Sequence, residues 1–175
     1  MGQSREQARL MYLLDTDIVF ELRNAKAGTT DPGLVGWAAG QARSSLFISA
    51  ITLLELETGA ARVERKDKAA GLALRAWLTE QVAVAFEGRI LPVDAAVVRG
   101  RGRLPLTDAR DALLAATALE HGLTLVTRDI AAFKVNRLKL FNPWGYKPEA
   151  PDDNEDWGQA AKAGSQWLRN IFMRG

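Results

Sequence analysis

The amino-acid sequence predicts an α/β fold of three layers, with a central, mostly parallel sheet of about five strands flanked by helices and followed by a C-terminal helical extension. Five short apolar runs recur along the chain, and longer segments with helical spacing separate them. Buried runs of this length are typical of strands in a parallel sheet that is covered on both faces. The predicted strands lie within residues 11–19, 45–51, 88–94, 123–129 and 138–144.

The segments between the apolar runs predict three long helices. The first continues after Thr52, and the second spans roughly residues 68–86. The third has Thr107 as its candidate N-cap and Gly122 as its stop signal. In an alternating arrangement of this kind, ligands bind at the carboxyl ends of the strands.

The composition fits one globular domain and excludes several kinds of site. Of 175 residues, 47% are hydrophobic and 25% are charged. The absence of cysteine excludes a disulfide framework, a thiol nucleophile and a cysteine-based zinc site, and it fits the reducing cytoplasm. No apolar run approaches the roughly 18 residues of a membrane span, which predicts no membrane association. Residues 1–10 are polar and are predicted to be a disordered leader.

The C-terminal part differs from the rest in charge. Residues 148–175 contain five acidic and three basic residues, a net charge of −2, which leaves +4 on residues 1–147. Residues 146–156 are rich in proline and acids and are predicted to be a linker. Residues 157–175 carry one apolar stripe at helical spacing. This helix either packs on its own domain or a second copy, or covers a groove that a partner normally uses.

Three aspartates follow predicted strands. Asp15, Asp94 and Asp129 each come directly after an apolar run. Because the carboxyl ends of parallel strands meet at one edge of a sheet, these side chains are candidates for a shared crevice. Each is also explained by a turn or helix N-cap, and this alternative is favoured for Asp94, which precedes a helical segment.

Two further acids lie inside predicted helices. Glu55 is flanked by leucines, and Gly59, four residues later, leaves room on the same face of the helix. Asp111 lies in the first turn of its helix, where the helix dipole favours a carboxylate. His121, the single histidine of the chain, precedes a glycine at the end of the same helix, where capping explains it.

One sheet can bring four acids from four elements together. A cluster of carboxylates raises its own pKa values unless a cation is present. Oxygen ligands suit Mg²⁺ or Mn²⁺, and such ions activate water for attack on a phosphodiester. The four acids are Asp15, Glu55, Asp111 and Asp129.

Three ordered segments resemble one known family. LLDTDIV, SAITLLELETG and DALLAATALEHGLTLVTRD are similar to the four motifs of PIN-domain ribonuclease toxins of the VapC type. GRILPVD and FNPW also resemble the FitB-like branch of these toxins. The resemblance covers about residues 11–145 and implies a PIN-like nuclease domain there.

The resemblance assigns roles to individual residues. It implies that the four acids named above bind the metal, as catalytic ligands. Thr127 would be a supporting hydroxyl near Asp129, and Thr16 would donate a hydrogen bond to the site. Asp17 stands where the family usually has asparagine, so it either adds charge near the metal or caps the following helix. Asp108 shares a helical face with Asp111 and is a candidate supporting residue.

The resemblance also implies a function and partners. The expected protein is an Mg²⁺- or Mn²⁺-dependent endoribonuclease, the toxin component of a type II toxin–antitoxin pair. Its expected partners are an RNA substrate, a cognate antitoxin that is a small DNA-binding protein, and a second copy in a homodimer. The cluster of Arg99, Arg101 and Arg103 is either a phosphate-contacting strip or a solvated loop.

Two other functions remain open at this point. In a haloacid-dehalogenase-type phosphatase, Asp15 would be the nucleophile, Asp17 the general acid and Ser49 the polar residue of a second strand. The late acidic pair of that family is missing, and Glu55 and Asp111 have no role in it. Alternatively, the domain binds an antitoxin or RNA without catalysis.

Overall fold

The computed structural model describes residues 10–147 and Leu168, and in that part of the chain five strands form one parallel sheet. The sheet order is β3-β2-β1-β4-β5, with β1 and β4 paired through Leu13 and Leu125. The predicted parallel sheet of about five strands is therefore confirmed. The strands are β1 Tyr12–Leu14, β2 Leu46–Ser49, β3 Ile90–Leu91, β4 Thr124–Val126 and β5 Leu140–Phe141.

The helices connect the strands and cover both faces of the sheet. The long predicted segment 68–86 is helical but changes from α-helical to π-helical hydrogen bonding at Leu78–Val82. The helices are α1 Thr16–Arg23, α2 Pro32–Gly40, α3 Ala50–Lys66, α4 Lys68–Trp77, α5 Ala83–Ala85, α6 Ala95–Arg101 and α7 Ala109–Glu120, and short 3-10 turns lie at Asn24–Ala27, Arg43–Ser45 and Ile130–Phe133.

The central strand β1 shows why the sheet is buried on both sides. Successive side chains of a strand point to opposite faces. Leu14 packs in a large cluster with α1, α2, α3 and α4, whereas Leu13 packs in a second cluster with α7. Both leucines are fully buried. Two apolar faces around one sheet give the three layers that the sequence predicts.

The capping residues along the carboxyl edge of the sheet differ in part from the predictions. The Asp94 carboxylate accepts a hydrogen bond from the Val97 N–H at 3.0 Å, so its capping role is confirmed. The Ser49 hydroxyl, fully buried, accepts from the Ile51 N–H at 3.1 Å and caps α3. This cap places the start of α3 at Ala50, three residues before Leu53, where the helix was predicted to continue after Thr52.

Two capping predictions are wrong. Asp108, not Thr107, is the N-cap of α7, and its Oδ1 accepts from the N–H groups of Arg110 and Asp111. A carboxylate adds its charge to the cap, which the helix dipole favours over a neutral hydroxyl. Asp17 does not cap α1, because that helix already begins at Thr16 with Asp15 as its N-cap.

The predicted leader and most of the predicted C-terminal part lie outside the described residues. These are residues 1–9 and 148–175 apart from Leu168, and they include nearly all of the linker and extension. Leu168 is helical, 2% exposed, and packs in the core cluster that contains Trp37 and Trp77. Within the described part, no helix combines the length and apolar character that crossing a membrane requires.

Helices α3 and α4 meet at a tight corner, which generates a stability prediction. Asp67 is both the C-cap of α3 and the N-cap of α4. A Cβ atom on Gly71 would lie 2.3 Å from the Cα of Glu64. We therefore expect Gly71→Ala to lower the free energy of unfolding by about 1–3 kcal/mol through overpacking. Chemical denaturation measures this difference.

Gly36→Ala is the matched control for that substitution. Gly36 is exposed in α2, and a Cβ atom there meets nothing within 4 Å. Alanine should stabilise this helix by roughly 0.5–1 kcal/mol. If both alanine variants were equally stable, the close approach of α3 and α4 would not be a real constraint.

Candidate active site

Three hydrogen bonds hold Asp15 at the end of β1. The backbone N–H of Asp15 donates to the carbonyl of Val126 at 3.0 Å, which extends the pairing of β1 with β4. Its Oδ1 accepts from the Thr16 N–H at 2.7 Å, and its Oδ2 accepts from the Thr127 hydroxyl at 2.8 Å. The side chain therefore has a fixed orientation at the carboxyl edge of the sheet.

Thr127 connects this acid to the end of β4. Its hydroxyl is fully buried and, besides donating to Asp15, accepts from the Asp129 N–H at 3.2 Å. Asp129 itself caps the following 3-10 turn, since its Oδ1 accepts from the Ala132 N–H at 3.2 Å. One hydroxyl thus joins the loops that carry two of the predicted acids. Thr127 was predicted as a supporting hydroxyl near Asp129, and the structure places it beside both acids.

Glu55 reaches the same place from α3. The hydroxyl of Thr52 donates to the Leu14 carbonyl at 3.4 Å and holds the first turn of α3 against the end of β1. One turn later, Glu55 Oε2 accepts a hydrogen bond from the Thr16 hydroxyl. Its other oxygen lies 3.6 Å from a guanidinium nitrogen of Arg110. The predicted hydrogen bond from Thr16 to the site is therefore present, and its acceptor is Glu55.

Asp111 reaches the site from the first turn of α7. The helix is fixed there by Asp108, whose carboxylate accepts the N–H groups of Arg110 at 2.9 Å and Asp111 at 3.0 Å. These hydrogen bonds hold the pKa of Asp108 below its usual range. Asp108 is exposed and does not line the cleft described below, so its contact with the site is through the helix it caps.

All four predicted acids line one open cleft of about 510 Å³ at the carboxyl edge of the sheet. Asp17 lines it as well. The sequence prediction that four elements bring these acids together therefore agrees with the geometry. The cleft is lined by Asp15, Thr16, Asp17, Phe20, Glu55, Thr58, Gly59, Arg62, Arg110, Asp111, Asp129, Ala132 and Phe133.

The acids in the cleft destabilise one another's charges. Burial, followed by the charge of Asp17, raises the pKa of Asp15 to about 6, although hydrogen bonds from Thr127 and Thr16 oppose the rise. Burial is also the largest cause that raises the pKa of Asp17. At neutral pH the protein therefore holds buried negative charge that folding alone does not neutralise.

The other acids of the site also raise the pKa of Asp111. Burial raises its pKa first, and the charges of Asp108, Asp15, Glu55 and Asp129 raise it further, in that order. Asp111 is therefore repelled by three other acids of the cleft. Mutual repulsion of this kind is relieved when a cation binds.

The donor set fits a hydrated divalent cation. Asp17 Oδ1 is buried and has no hydrogen-bond partner among the described residues, so one carboxylate oxygen is available. Within residues 10–147 and Leu168, no three acidic or histidine side chains are already close enough to form a coordination cage. Mg²⁺ does not require such a cage, because it keeps several water ligands and binds through one or two carboxylates.

The sequence reasoning missed two arginines that line the cleft. Arg62 lies on the same face of α3 as Glu55 and Thr58, seven and four residues after them, so helical periodicity was the signal that could have found it. Arg110 directly precedes Asp111, and no spacing rule singles it out. Both supply positive charge beside the acids.

Comparison with known proteins agrees with this arrangement. A family model described as the PIN domain matches residues 12–138. The chain belongs to the PIN domain family. The predicted resemblance to PIN-domain toxins is therefore confirmed.

Individual relatives of this PIN domain are close in length to the described part. VapC ribonuclease Y4jK from Sinorhizobium fredii is 32% identical over 142 residues, which are 77% of this chain and 98% of that protein. Toxin FitB from Neisseria gonorrhoeae is also 32% identical over 142 residues, 77% of this chain and 99% of FitB. The crystal structure of FitAcB from Neisseria gonorrhoeae has a TM-score of 0.69 at 30% identity and covers 77% of this chain and 99% of that one.

The family membership leaves no place for the phosphatase alternative. In that alternative Ser49 would have to contact a substrate phosphate. Its hydroxyl is instead fully buried and engaged as the cap of α3. Nucleases of the PIN family generally use divalent metal ions, which agrees with the fit of the acids in this cleft.

The raised pKa of Asp15 generates a prediction for the metal-free PIN domain. The folded state binds a proton at Asp15 more tightly than the unfolded state, whose carboxyl has its ordinary pKa near 3.8. The stabilisation that the protonated Asp15 side chain contributes to the folded state is therefore complete below about pH 4, and it is lost as the pH rises to about 6. Asparagine removes the charge but still caps a helix. We expect Asp15→Asn to stabilise the metal-free protein at pH 7.5 by about 1–2 kcal/mol, after allowance for solvent screening.

Thermal unfolding in EDTA at pH 4 and pH 7.5 measures this effect, as a rise in Tm of about 2–6 °C at the higher pH alone. Adding Mg²⁺ or Mn²⁺ at pH 7.5 should raise the Tm of the unmodified protein more than that of the variant. If Asp15→Asn raised the Tm in EDTA equally at pH 4 and pH 7.5, the electrostatic explanation would be contradicted.

Proposed function

We propose that this protein is a metal-dependent endoribonuclease and the toxin component of a type II toxin–antitoxin pair. The observation that carries the proposal is the single cleft that contains Asp15, Glu55, Asp111 and Asp129 from four different elements. Its relatives named VapC ribonuclease and toxin FitB support both the activity and the biological role. The substrate is RNA, and the site of action is the cytoplasm.

The proposed metal is Mg²⁺ or Mn²⁺, held by those four acids either directly or through the water ligands that the ion keeps. When bound, the ion supplies positive charge to the phosphodiester and lowers the pKa of a water molecule at the site. The remaining chemistry belongs to the protein. Thr127 and Thr16 keep the carboxylates of Asp15 and Glu55 aimed into the cleft through the hydrogen bonds described above. Preorganised ligands avoid the cost of rearrangement during the reaction.

The two arginines of the cleft are proposed to position the RNA. Arg62 on α3 and Arg110 on α7 both line the cleft beside the acids. A guanidinium group suits a phosphate because it presents several N–H donors in one plane. In the absence of substrate Arg110 is paired with Glu55 at 3.6 Å. Because the Arg110 side chain is more than half exposed, this pair is weak and easily exchanged for a phosphate contact.

A cognate antitoxin is the proposed protein partner. Solved structures with this fold are named as FitAB and VapBC complexes, some of them bound to DNA. A small DNA-binding protein that covers the acidic cleft would account for such an assembly here. The homodimer predicted from the sequence is also part of the proposal.

The central test is RNA cleavage by the Asp15→Asn variant. We expect activity that requires Mg²⁺ or Mn²⁺, is abolished by EDTA, and falls at least about 100-fold in the variant, because a ligand charge at the metal is lost. Asp94→Asn is the matched control. It also lies after a strand at the carboxyl edge of the sheet, but it caps α6 and does not line the cleft.

The two alternatives give different results in the same assay. Equal RNA cleavage by both variants would place the chemistry elsewhere. No cleavage of any RNA by the unmodified protein, together with retained binding of an antitoxin, would support a catalytically silent binding module. Turnover of a small phosphate monoester without RNA cleavage would overturn the proposal in favour of a phosphatase.

A further inference from the structure

A second groove, larger than the acidic cleft, lies on the flank of α7. Its volume is about 800 Å³. Its lining comes from three segments: the end of α6 with the residues after it, the C-terminal half of α7, and residues 134–137. Ala116 of α7 is buried there. Nothing in the proposed catalytic chemistry uses this feature, which we call the basic groove.

The charge of the basic groove is positive. Arg103, Lys134 and Arg137 line it and are exposed, against one lining acid, Glu120. None of the three cations forms an ion pair with a carboxylate of the described residues. Three unpaired cations in one concave surface are an electrostatic footprint for a polyanion.

The backbone at Arg137 adds a second, independent observation. Its φ is 68°, which makes it the single non-glycine residue with a left-handed conformation in the described part of the chain. Such a conformation costs about 1–3 kcal/mol at a residue with a side chain. A glycine or asparagine would relieve this cost, yet the position carries an arginine that faces the groove. Strained positions of this kind cluster at functional sites.

The basic groove and the acidic cleft share two elements. Helix α7 carries Asp111 in the cleft and Glu120 in the groove, about 14 Å apart along the helix axis at 1.5 Å per residue. The segment after Asp129 also lines both surfaces, since Phe133 lines the cleft and Lys134 lines the groove. The two surfaces are therefore neighbours, and one extended strand can contact both.

We propose that the basic groove binds the sugar–phosphate backbone of single-stranded RNA next to the bond that is cut in the acidic cleft. This inference rests on the proposed ribonuclease function. The groove has apolar and charged linings but no aromatic side chain on which a base can stack. Its contacts are therefore with phosphates, and they add affinity without reading the base sequence.

The test compares RNA binding by two triple variants, both carrying Asp15→Asn and both measured in EDTA so that no cleavage occurs. The groove variant is Arg103→Gln, Lys134→Gln and Arg137→Asn, where asparagine tolerates the left-handed backbone. The control variant neutralises Arg65, Lys66 and Lys68 to glutamine at the α3–α4 corner. These residues are exposed and line neither site. Circular dichroism and thermal unfolding verify that both variants are folded.

For a fluorescent single-stranded RNA of about ten nucleotides, we expect the groove variant to bind about 10–100-fold more weakly at 0.15 M salt. The slope of log affinity against log salt should fall by about 2, since each lost phosphate contact removes roughly 0.7. The loss should be the same for homopolymers of uridine and adenosine. The control variant should change both quantities by less than half as much.

Three results would overturn the inference. An affinity and a salt slope equal to those of the control variant would show that the groove does not contact RNA. A loss confined to one base sequence would show that it reads bases. Dissociation of a dimer with unchanged RNA affinity for each chain, seen by size-exclusion chromatography with light scattering, would show that the groove joins two copies.

A parallel cleavage assay separates this inference from the proposed function. With Asp15 intact, the groove variant should raise KM for a long RNA and leave kcat within about twofold, since the groove lies outside the acidic cleft. If the unmodified protein cleaves RNA but the groove variant binds it normally, the inference fails alone. If the unmodified protein cleaves no RNA, the proposed function fails, and the binding measurements in EDTA still decide the groove.

Discussion

The hydrogen bond from the Thr127 hydroxyl to the Asp15 carboxylate is the contact around which the site is built. It joins the ends of β1 and β4, the central strand of the sheet and one of its two neighbours. It forms because the register pairs Leu14 with Val126, which places the two following residues side by side. A shift of one residue would turn these side chains to opposite faces of the sheet. The buried leucines of β1 prevent such a shift, so the core sets the geometry of the acids.

The same packing creates an electrostatic cost. Holding Asp15, Asp17 and Asp111 in one partly buried cleft raises the pKa of each. A protein selected for stability alone would replace one of these acids with an uncharged residue. A bound cation, as proposed above, would offset this cost by stabilising the folded state. The site is therefore expected to lose stability when it is emptied and to gain it when it is filled.

Much of the fold and most of the acidic site could be predicted from the sequence, because both depend on strong local patterns. The apolar runs predicted the strands. Asp15 and Asp129 were found because each directly follows such a run. Glu55 and Asp111 lie inside helices, where an acid has many ordinary explanations, so they became candidates only when the four acids were considered together, and the family resemblance then implied the same four. The choice of Thr107 as a cap failed because two adjacent residues both favour that position, and only the backbone decides between Thr107 and Asp108.

Other features depend on tertiary contacts that no local pattern encodes. Arg110 reaches Glu55 across 55 positions of sequence, from one helix to another. The burial of Leu168 in the core cluster that contains Trp37 and Trp77 likewise depends on contacts between residues far apart in sequence. In the cluster of arginines around residues 99–103, the sequence alone could not tell that Arg103 faces a groove. The position of Arg103 in a groove depends on residues 134–137, which are distant in sequence and line the same groove.

The separation of charge along α7 gives these features one physical interpretation. Without a cation the acidic cleft repels phosphates, so it cannot by itself attract RNA. Arg110 pairs with Glu55 inside the cleft at 3.6 Å, so its charge is shared with an acid until a phosphate replaces that contact. The groove cations Arg103, Lys134 and Arg137 come from segments beside α7, and none of them forms an ion pair with a carboxylate of the described residues. Attraction of the polyanion and cleavage of its backbone are thereby assigned to two neighbouring surfaces that share α7.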